Sequence, residues 1–114
     1  MDDLVDGWLT LPDVAEQVGE PITRVRQWIR DGRLVALRCG DPAVLRVPAS
    51  FIRDGTVLPA LPGTLSLLRD CGYGAEEAVR WLFTVDPTLP GTPVEALAAG
   101  RRREVRRRAQ ALAF

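Results

Sequence analysis

The spacing of apolar residues near the start of the chain predicts a short helix. Leu11 and Val14 belong to a run whose apolar positions recur at helical intervals, and Gly19 suits the left-handed position that ends a helix. Thr10 comes just before the run as a helix N-cap, and Asp13 follows three residues later, as in a capping box. The sequence therefore predicts a capped helix that ends before Gly19.

A second helix is predicted over residues 22–30. Val25, Trp28 and Ile29 fall on one side of it, together with Ile22, which gives the helix an apolar face. Only two or three residues separate it from the first helix, so the two helices must cross, as in a helix-turn-helix. The opposite, polar side carries Thr23, Arg24, Gln27, Arg30 and Asp31.

A β-hairpin is predicted directly after the second helix. The runs 34–38 and 45–47 are β-prone, and the Gly-Asp-Pro sequence at residues 40–42 between them is typical of a turn. Residues 49–53 are expected to form a helical turn. Residues 58–62 contain two prolines and are expected to be an extended link.

The remainder of the chain is predicted to be helical. Thr92 precedes Pro93 and is followed by Glu95, which combines an N-cap, a first-turn proline and a capping-box acid. The fold class is therefore mainly α with a small β-hairpin wing. We expect a winged helix-turn-helix over residues 1–56, with an acidic N-terminal arm, and a C-terminal helical bundle over residues 57–114. The predicted helices of that bundle cover residues 63–71, 75–84, 93–100 and 101–113.

The composition excludes most catalytic and metal chemistry. All 15 basic residues are arginine, and the chain has no histidine and no lysine. The chain therefore cannot have an imidazole base or a His-ligated zinc. It also cannot form a lysine Schiff base or a Walker-type phosphate loop. The two cysteines, Cys39 and Cys71, are too few for a metal cluster; a disulfide between them is the alternative to two reduced thiols. We expect no enzyme activity, no catalytic residue, no metal and no cofactor.

The sequence also predicts a cytoplasmic protein. No apolar run approaches the ~20 residues of a membrane span, and the first residues are acidic rather than basic, unlike a signal peptide. We therefore expect no membrane partner.

The net charge of zero conceals a strong segregation of charge. Residues 1–20 hold six acids and no arginine, whereas residues 21–53 hold seven arginines and two acids. Residues 101–108 hold six arginines and one acid. The net charge therefore gives no global field that favours nucleic acid, but two basic patches and an acidic arm differ from a uniformly neutral surface.

The polar side of the second helix has the chemistry of a DNA-reading surface. Arginine can form paired hydrogen bonds with guanine, and glutamine can form them with adenine. Wing residues commonly contact the sugar-phosphate backbone, which positions a protein without reading sequence. A solvated face that happens to carry arginine is the alternative. The predicted DNA contacts are Thr23, Arg24, Arg26, Gln27 and Arg30 on the helix and Arg38 and Arg46 on the wing.

A second basic patch is predicted on the last helix. Val105, Ala109 and Leu112 form its apolar stripe, so most of its arginines should point outward. This patch could bind phosphates, the acidic arm or an acidic partner protein, or it could be a solvated face. Its residues are Arg101, Arg102, Arg103, Arg106 and Arg107.

The stretch LTLPDVAEQVGEPITRVRQWIRDGRLVALR resembles the MerR/excisionase-type winged helix-turn-helix, with its helix, Gly turn, V-R-x-W-I, D-G-R-L and wing. Residues 49–114 are similar to the C-terminal helical domain of a small actinobacterial family of winged helix-turn-helix DNA-binding proteins. The resemblance implies binding to double-stranded DNA, transcriptional regulation and a nucleoid-associated location. Pro21 departs from the Ser or Thr cap that many such domains carry.

The C-terminal half also resembles, more loosely, the toxin-binding domain of some antitoxins. The shared features are the A-x-R-W-L run and the P-G-x-P-x-x-x-L loop and helix. This resemblance implies an alternative function, an antitoxin-like adaptor whose helical half binds a partner protein. Self-association through that half is a further expectation, and the sequence does not decide between a monomer and a dimer.

Overall fold

The computed structural model describes residues 4–113. The acidic arm predicted at the N-terminus begins in residues 1–3, which lie outside this range. A 3₁₀ helix (Ala49–Phe51) lies between the third and fourth strands. The remaining elements, in chain order, are β1 (Trp8–Thr10), α1 (Leu11–Val18), α2 (Ile22–Arg30), β2 (Leu37–Cys39), β3 (Val44–Pro48), β4 (Ile52–Arg53), β5 (Thr56–Val57), α3 (Leu61–Asp70), α4 (Ala75–Leu82), α5 (Pro93–Ala98) and α6 (Arg102–Ala111).

The predicted start and end of α1 are confirmed. The Thr10 hydroxyl accepts a hydrogen bond from the Asp13 N–H at 3.3 Å, and the Asp13 carboxylate accepts one from the Thr10 N–H at 3.3 Å. Gly19 ends the helix in the left-handed conformation, with φ of 69°. This glycine lets the chain turn sharply into α2, so that the two helices pack across each other.

The predicted hairpin is present, and a third strand that we did not predict extends it. β2 and β3 pair antiparallel, and β1 pairs with the other edge of β3, where Trp8 lies opposite Pro48. The first predicted strand was placed too early, because residues 34–36 lead into the sheet without pairing in it. Leu34, the first residue of this segment, is instead buried in the hydrophobic core.

The prediction of an extended link over residues 58–62 is wrong at its end. A small hairpin of β4 and β5 precedes this segment, and α3 already begins at Leu61. Pro62 lies in the first helical turn, where the missing N–H costs no hydrogen bond. The helices predicted over 63–71, 75–84, 93–100 and 101–113 are all present, with ends shifted by a few residues. Among the helices of residues 4–113, none is long and apolar enough to cross a membrane.

The start of α5 is the most completely capped helix end. The Thr92 hydroxyl accepts from the Glu95 N–H at 3.2 Å, and the Glu95 carboxylate accepts from the Thr92 N–H at 3.0 Å, as predicted. The Thr92 N–H, and the Thr92 hydroxyl that also lies 2.9 Å from the same carboxylate oxygen, lower the pKa of Glu95 below its usual value. In the preceding loop, the hydroxyl and N–H of Thr88 likewise lower the pKa of Asp86.

One hydrophobic core runs through both parts of the chain. Val14 and Val25 of the helix-turn-helix belong to the same cluster as Leu68, Leu82 and residues of α5 and α6. Phe51, fully buried after the wing, faces Phe83 at the end of α4 with ring centroids 5.8 Å apart. The boundary near residue 56 therefore separates two sequence segments that share a core.

Candidate nucleic-acid interface

The polar face of α2 is exposed, as its phase predicts. Val25 is buried, and Ile22, Trp28 and Ile29 are half-buried against the core. The side of α2 that faces away from the core carries the exposed residues Thr23, Arg24, Arg26, Gln27 and Arg30. The sequence therefore identified both faces of this helix.

Two of these side chains are linked in a hydrogen-bonded chain that ends at Asp31. The Arg30 guanidinium donates from Nη2 to Gln27 Oε1 at 2.8 Å. Gln27 in turn donates from Nε2 to Asp31 Oδ1 at 2.8 Å. The Gln27 amide is thus held in one orientation, and it keeps a second N–H and a second lone pair for another partner. Arg30 likewise keeps its remaining N–H donors.

A groove connects α2 to the wing. It has a volume of about 430 Å³ and lies between the start of α1, the first turns of α2 and the sheet. Arg26 from α2 and Arg38 from β2 both line it, so the structure brings two of the predicted contact residues onto one concave surface. Val44, Leu45 and Thr10 form much of the remaining wall.

Arg38 and Arg46, predicted as a pair on the wing, lie on opposite faces of the sheet. In the β2–β3 register, Arg38 lies opposite Leu45 while Arg46 lies opposite Leu37. Because directly opposed residues share a face and successive residues alternate, the two arginines point to different sides. Only Arg38 faces the groove that Arg26 lines.

Arg46 is instead folded against the loop of its own hairpin. Its Nη2 donates to the carbonyl oxygen of Pro42 at 3.3 Å. A Cβ at Gly40 would lie 2.6 Å from the Arg46 Cζ, so this arginine occupies the space that a side chain at Gly40 would need. Arg46 is half-buried and stabilises the wing tip in the free protein.

The end of α2 is held by an arginine from the C-terminal part. Gly32 follows the helix with φ of 76°, and a Cβ there would lie 1.6 Å from Nη1 of Arg69. The guanidinium of Arg69, from α3, therefore packs directly on the turn that ends α2. Gly32 and Arg69 also line a cleft together with Ile29 and Leu65.

The predicted second basic patch is divided by the structure. Arg101 forms an ion pair with Glu104, at 3.8 Å between Nη1 and Oε2. Arg107 is exposed on the outer side of α6. Arg102, Arg103 and Arg106 line a separate groove between α6 and α3.

Sequence reasoning missed two positioning residues. The role of Asp31 could have been found, since a Gln and an Asp four residues apart on a helix are neighbours. The role of Arg69 could not, because it lies 37 positions after Gly32 and no local pattern joins them. Among residues 4–113 there is also no group of three or more potential metal ligands.

Comparison with known proteins gives matches to both parts of the chain. Residues 2–52 match the family model of the DNA-binding protein Rv2175c winged helix-turn-helix domain. Residues 58–113 match the model of the Rv2175c C-terminal domain of unknown function. The chain is 44% identical to the DNA-binding protein Rv2175c of Mycobacterium tuberculosis H37Rv, over 91% of this chain and 79% of that protein. The NMR structure of Rv2175c superposes with a TM-score of 0.84 at 41% identity, over 95% of this chain and 82% of that one.

Proposed function

Because the chain belongs to the family of the DNA-binding protein Rv2175c, we propose that it binds double-stranded DNA and acts as a transcriptional regulator. In this proposal α2 enters the major groove, and the wing contacts the backbone alongside it. A regulator that works on DNA resides on the nucleoid. DNA binding, rather than catalysis, is the activity that this chemistry supports.

The exposed face of α2 is the observation that carries the proposal. It presents Gln27 and Arg30 side by side, already hydrogen-bonded to each other at 2.8 Å. These are the side-chain types that read adenine and guanine through paired hydrogen bonds in the major groove. Their mutual contact reduces the side-chain entropy that is lost when they bind two neighbouring bases.

The remaining predicted residues divide by position into base readers and phosphate contacts. Thr23 lies near the start of α2 on the same face as Gln27, so we assign it to the bases. Arg26 and Arg38 line the groove between α2 and the wing, and we assign them to the phosphates of one strand. Arg24 flanks the other side of the stripe and is assigned to the opposite strand.

Arg46 contacts DNA in this proposal only if it leaves the loop that it now supports. Its hydrogen bond to the Pro42 carbonyl and its packing on Gly40 would have to be replaced. We therefore expect Arg46→Gln to act mainly on the conformation of the wing, and Arg38→Gln to act on DNA affinity alone. Thermal unfolding separates the two variants, because only the Arg46 substitution should lower the unfolding temperature.

Selection from a random pool of DNA duplexes by the purified full-length protein tests the proposal. A defined sequence motif is expected. Arg30→Ala should then weaken binding to that motif by about 1–3 kcal/mol, which is roughly 5- to 150-fold, and should relax the preference at one base position. Arg80→Ala is the matched control, since Arg80 is an exposed helical arginine of α4 that pairs with Glu76. Unchanged affinity of Arg30→Ala at low salt would contradict the assignment.

Loss of a phosphate contact should give a different result. Arg38→Gln is expected to weaken binding to all sequences alike and to lower the slope of log K against log salt by about one. A variant that weakened binding to one sequence only would assign Arg38 to a base. The comparison of Arg38 with Arg30 therefore tests the division between readers and phosphate contacts.

The adaptor hypothesis predicts an apolar docking surface on the C-terminal part. Within residues 4–113 only three large apolar side chains are exposed, and one of them lies on the wing rather than on the C-terminal part. They are Val44, Val85 and Leu112. Absence of any enriched DNA motif, together with a nuclease-resistant protein complex, would favour the adaptor. Self-association through the C-terminal part stays a prediction, and sedimentation with and without a selected duplex measures it.

A further inference from the structure

The arginines of the last helix fall into two sets with different surroundings. Arg108 donates from Nε to the Thr88 hydroxyl at 2.7 Å and lies 4.0 Å from the Asp86 carboxylate. Arg101 is held by Glu104, as described above. Arg101 also donates from Nη1 to the Leu89 carbonyl at 3.3 Å, so both arginines fasten α6 to the loop before α5, and each lies beside an acid of the same chain.

The second set has no such partners. Arg102, Arg103 and Arg106 are exposed, and among residues 4–113 none of them has a hydrogen bond or an ion pair with another side chain. They line one wall of a groove of about 580 Å³ between α6 and α3. Apart from Leu67, the facing wall is made of small side chains, which leave the arginines room. Its residues are Ala60, Gly63, Thr64, Ser66 and Leu67.

The charge of this groove is uncompensated. No Asp or Glu lines it, and the three arginines are its only charged groups. Their guanidinium groups are permanently charged and carry several N–H donors suited to the oxygens of an anionic group. The wall opposite adds the Ser66 hydroxyl as a further polar group. The groove thus has the lining of a site for a polyanion.

A continuous surface joins this groove to the end of α2. Arg102 also lines the adjoining groove, which includes Arg53 and Thr56 of the β4–β5 hairpin. Thr56 in turn lines a third groove that reaches Trp28 and Arg33, at and just beyond the last turn of α2. The three grooves together are lined by five arginines and two acids, Glu20 and Asp54.

We propose that the groove between α3 and α6 binds the sugar-phosphate backbone of DNA, as a second contact beyond the segment that α2 reads. This inference rests on the proposed function, since it concerns the same duplex. The longest dimension of the molecule is 36 Å, close to one helical turn of DNA, about 34–36 Å. A duplex bound at α2 needs only about one further helical turn to be long enough to reach α6.

The lining of the groove favours DNA over an acidic protein segment. Protein interfaces derive most of their affinity from aromatic and large aliphatic side chains that fill pockets, and Leu67 is the one large apolar residue here. Backbone contacts to DNA need arginines and small polar groups, and they need no apolar anchor. The C-terminal part would thereby contribute affinity that does not depend on base sequence.

The salt dependence of binding measures this contact directly. Each phosphate neutralised adds about 0.9 to the slope of log K against log salt. The double variant Arg103→Gln/Arg106→Gln should therefore lower the slope by about 1.8 on a duplex of roughly three helical turns. Affinity at 0.15 M salt should fall by about 30-fold, the same for specific and non-specific sequences. Both residues are exposed, so the unfolding temperature should not change.

Matched variants separate this inference from the proposed function. Arg80→Gln removes one arginine charge from α4, away from the groove, and should leave the slope unchanged. Arg24→Gln removes one charge from α2 and should lower the slope. An unchanged slope in the double variant, with a lowered slope in Arg24→Gln, would overturn the α6 contact and leave DNA binding by α2 intact. No salt-dependent binding by the unaltered protein would overturn the proposed function itself. Binding of poly-glutamate through Arg103 and Arg106, with DNA binding unaffected, would assign the groove to an acidic protein segment and overturn the proposal.

Discussion

Replacement of Gly32 by alanine tests how the C-terminal part supports α2. The glycine has φ of 76°, where a residue with a Cβ is strained by about 1–2 kcal/mol, partly offset by the reduced entropy of the unfolded chain. The new Cβ would also lie 1.6 Å from Nη1 of Arg69, so that guanidinium must leave the turn. Arg69 is an exposed, long side chain, so its displacement should add less than about 1 kcal/mol. We expect a total loss of about 1–2 kcal/mol in the free energy of unfolding.

Gly19→Ala is the matched control for that substitution. Its φ of 69° imposes the same backbone strain, but no atom lies within 4 Å of the added Cβ. Urea and thermal unfolding followed by circular dichroism should show the larger loss in Gly32→Ala. Because the extra loss is below about 1 kcal/mol, its unfolding temperature should lie below that of Gly19→Ala by at most about 8 °C. In an Arg69→Ala background the two glycine variants should lose equal stability, because the contact is already absent. Equal losses in the original background would refute a stabilising role for Arg69, and a neutral Gly32→Ala would refute the strain argument.

Three further predictions concern side-chain hydrogen bonds. Asp31→Ala releases the Gln27 amide, a helical pair worth about 0.2–0.5 kcal/mol, and removes a carboxylate near the DNA. Discrimination at the base read by Gln27 should fall about two-fold, while the total affinity for DNA rises. Titration with single-base variants of the selected site measures both, and unchanged discrimination would contradict the prediction. Thr92→Ala removes the α5 cap and should cost about 1 kcal/mol in unfolding free energy, measured in urea; an unchanged midpoint would show that the cap contributes nothing. The lowered pKa values of Glu95 and Asp86 contribute stability that is complete at neutral pH and is lost as the pH falls below about 4. Glu95→Gln should therefore flatten the acid limb of stability against pH, and an equally steep limb would assign the loss to other groups.

The helices could be predicted from the sequence because their signals are local. The capping boxes at Thr10 and Thr92 and the left-handed Gly19 lie within a few residues of the helix ends that they fix. The strand β1 could not be predicted. It has three residues, and it exists because Trp8 pairs with Pro48, 40 positions later in the chain.

The candidate site was likewise predictable where it depends on local geometry. The phase of α2 identified its exposed face, since helical geometry alone determines which residues share a side. The faces of the wing were harder to predict, because a shift of one residue in the strand register turns every side chain to the opposite face. The sequence placed Arg38 and Arg46 on the hairpin, but only the register separates the one that lines the groove from the one that supports the loop.

The single core determines where a genetic screen for loss of DNA binding should find mutations. Phe51 and Phe83 pack together across the junction of the two family domains, and α3 rests its Arg69 on the end of α2. Mutations selected for loss of DNA binding should therefore occur throughout the C-terminal half, at positions that touch no nucleotide. For the same reason, we expect residues 1–56 to be unstable when they are fused to another protein without the C-terminal part. The unit that can be transplanted is the whole chain.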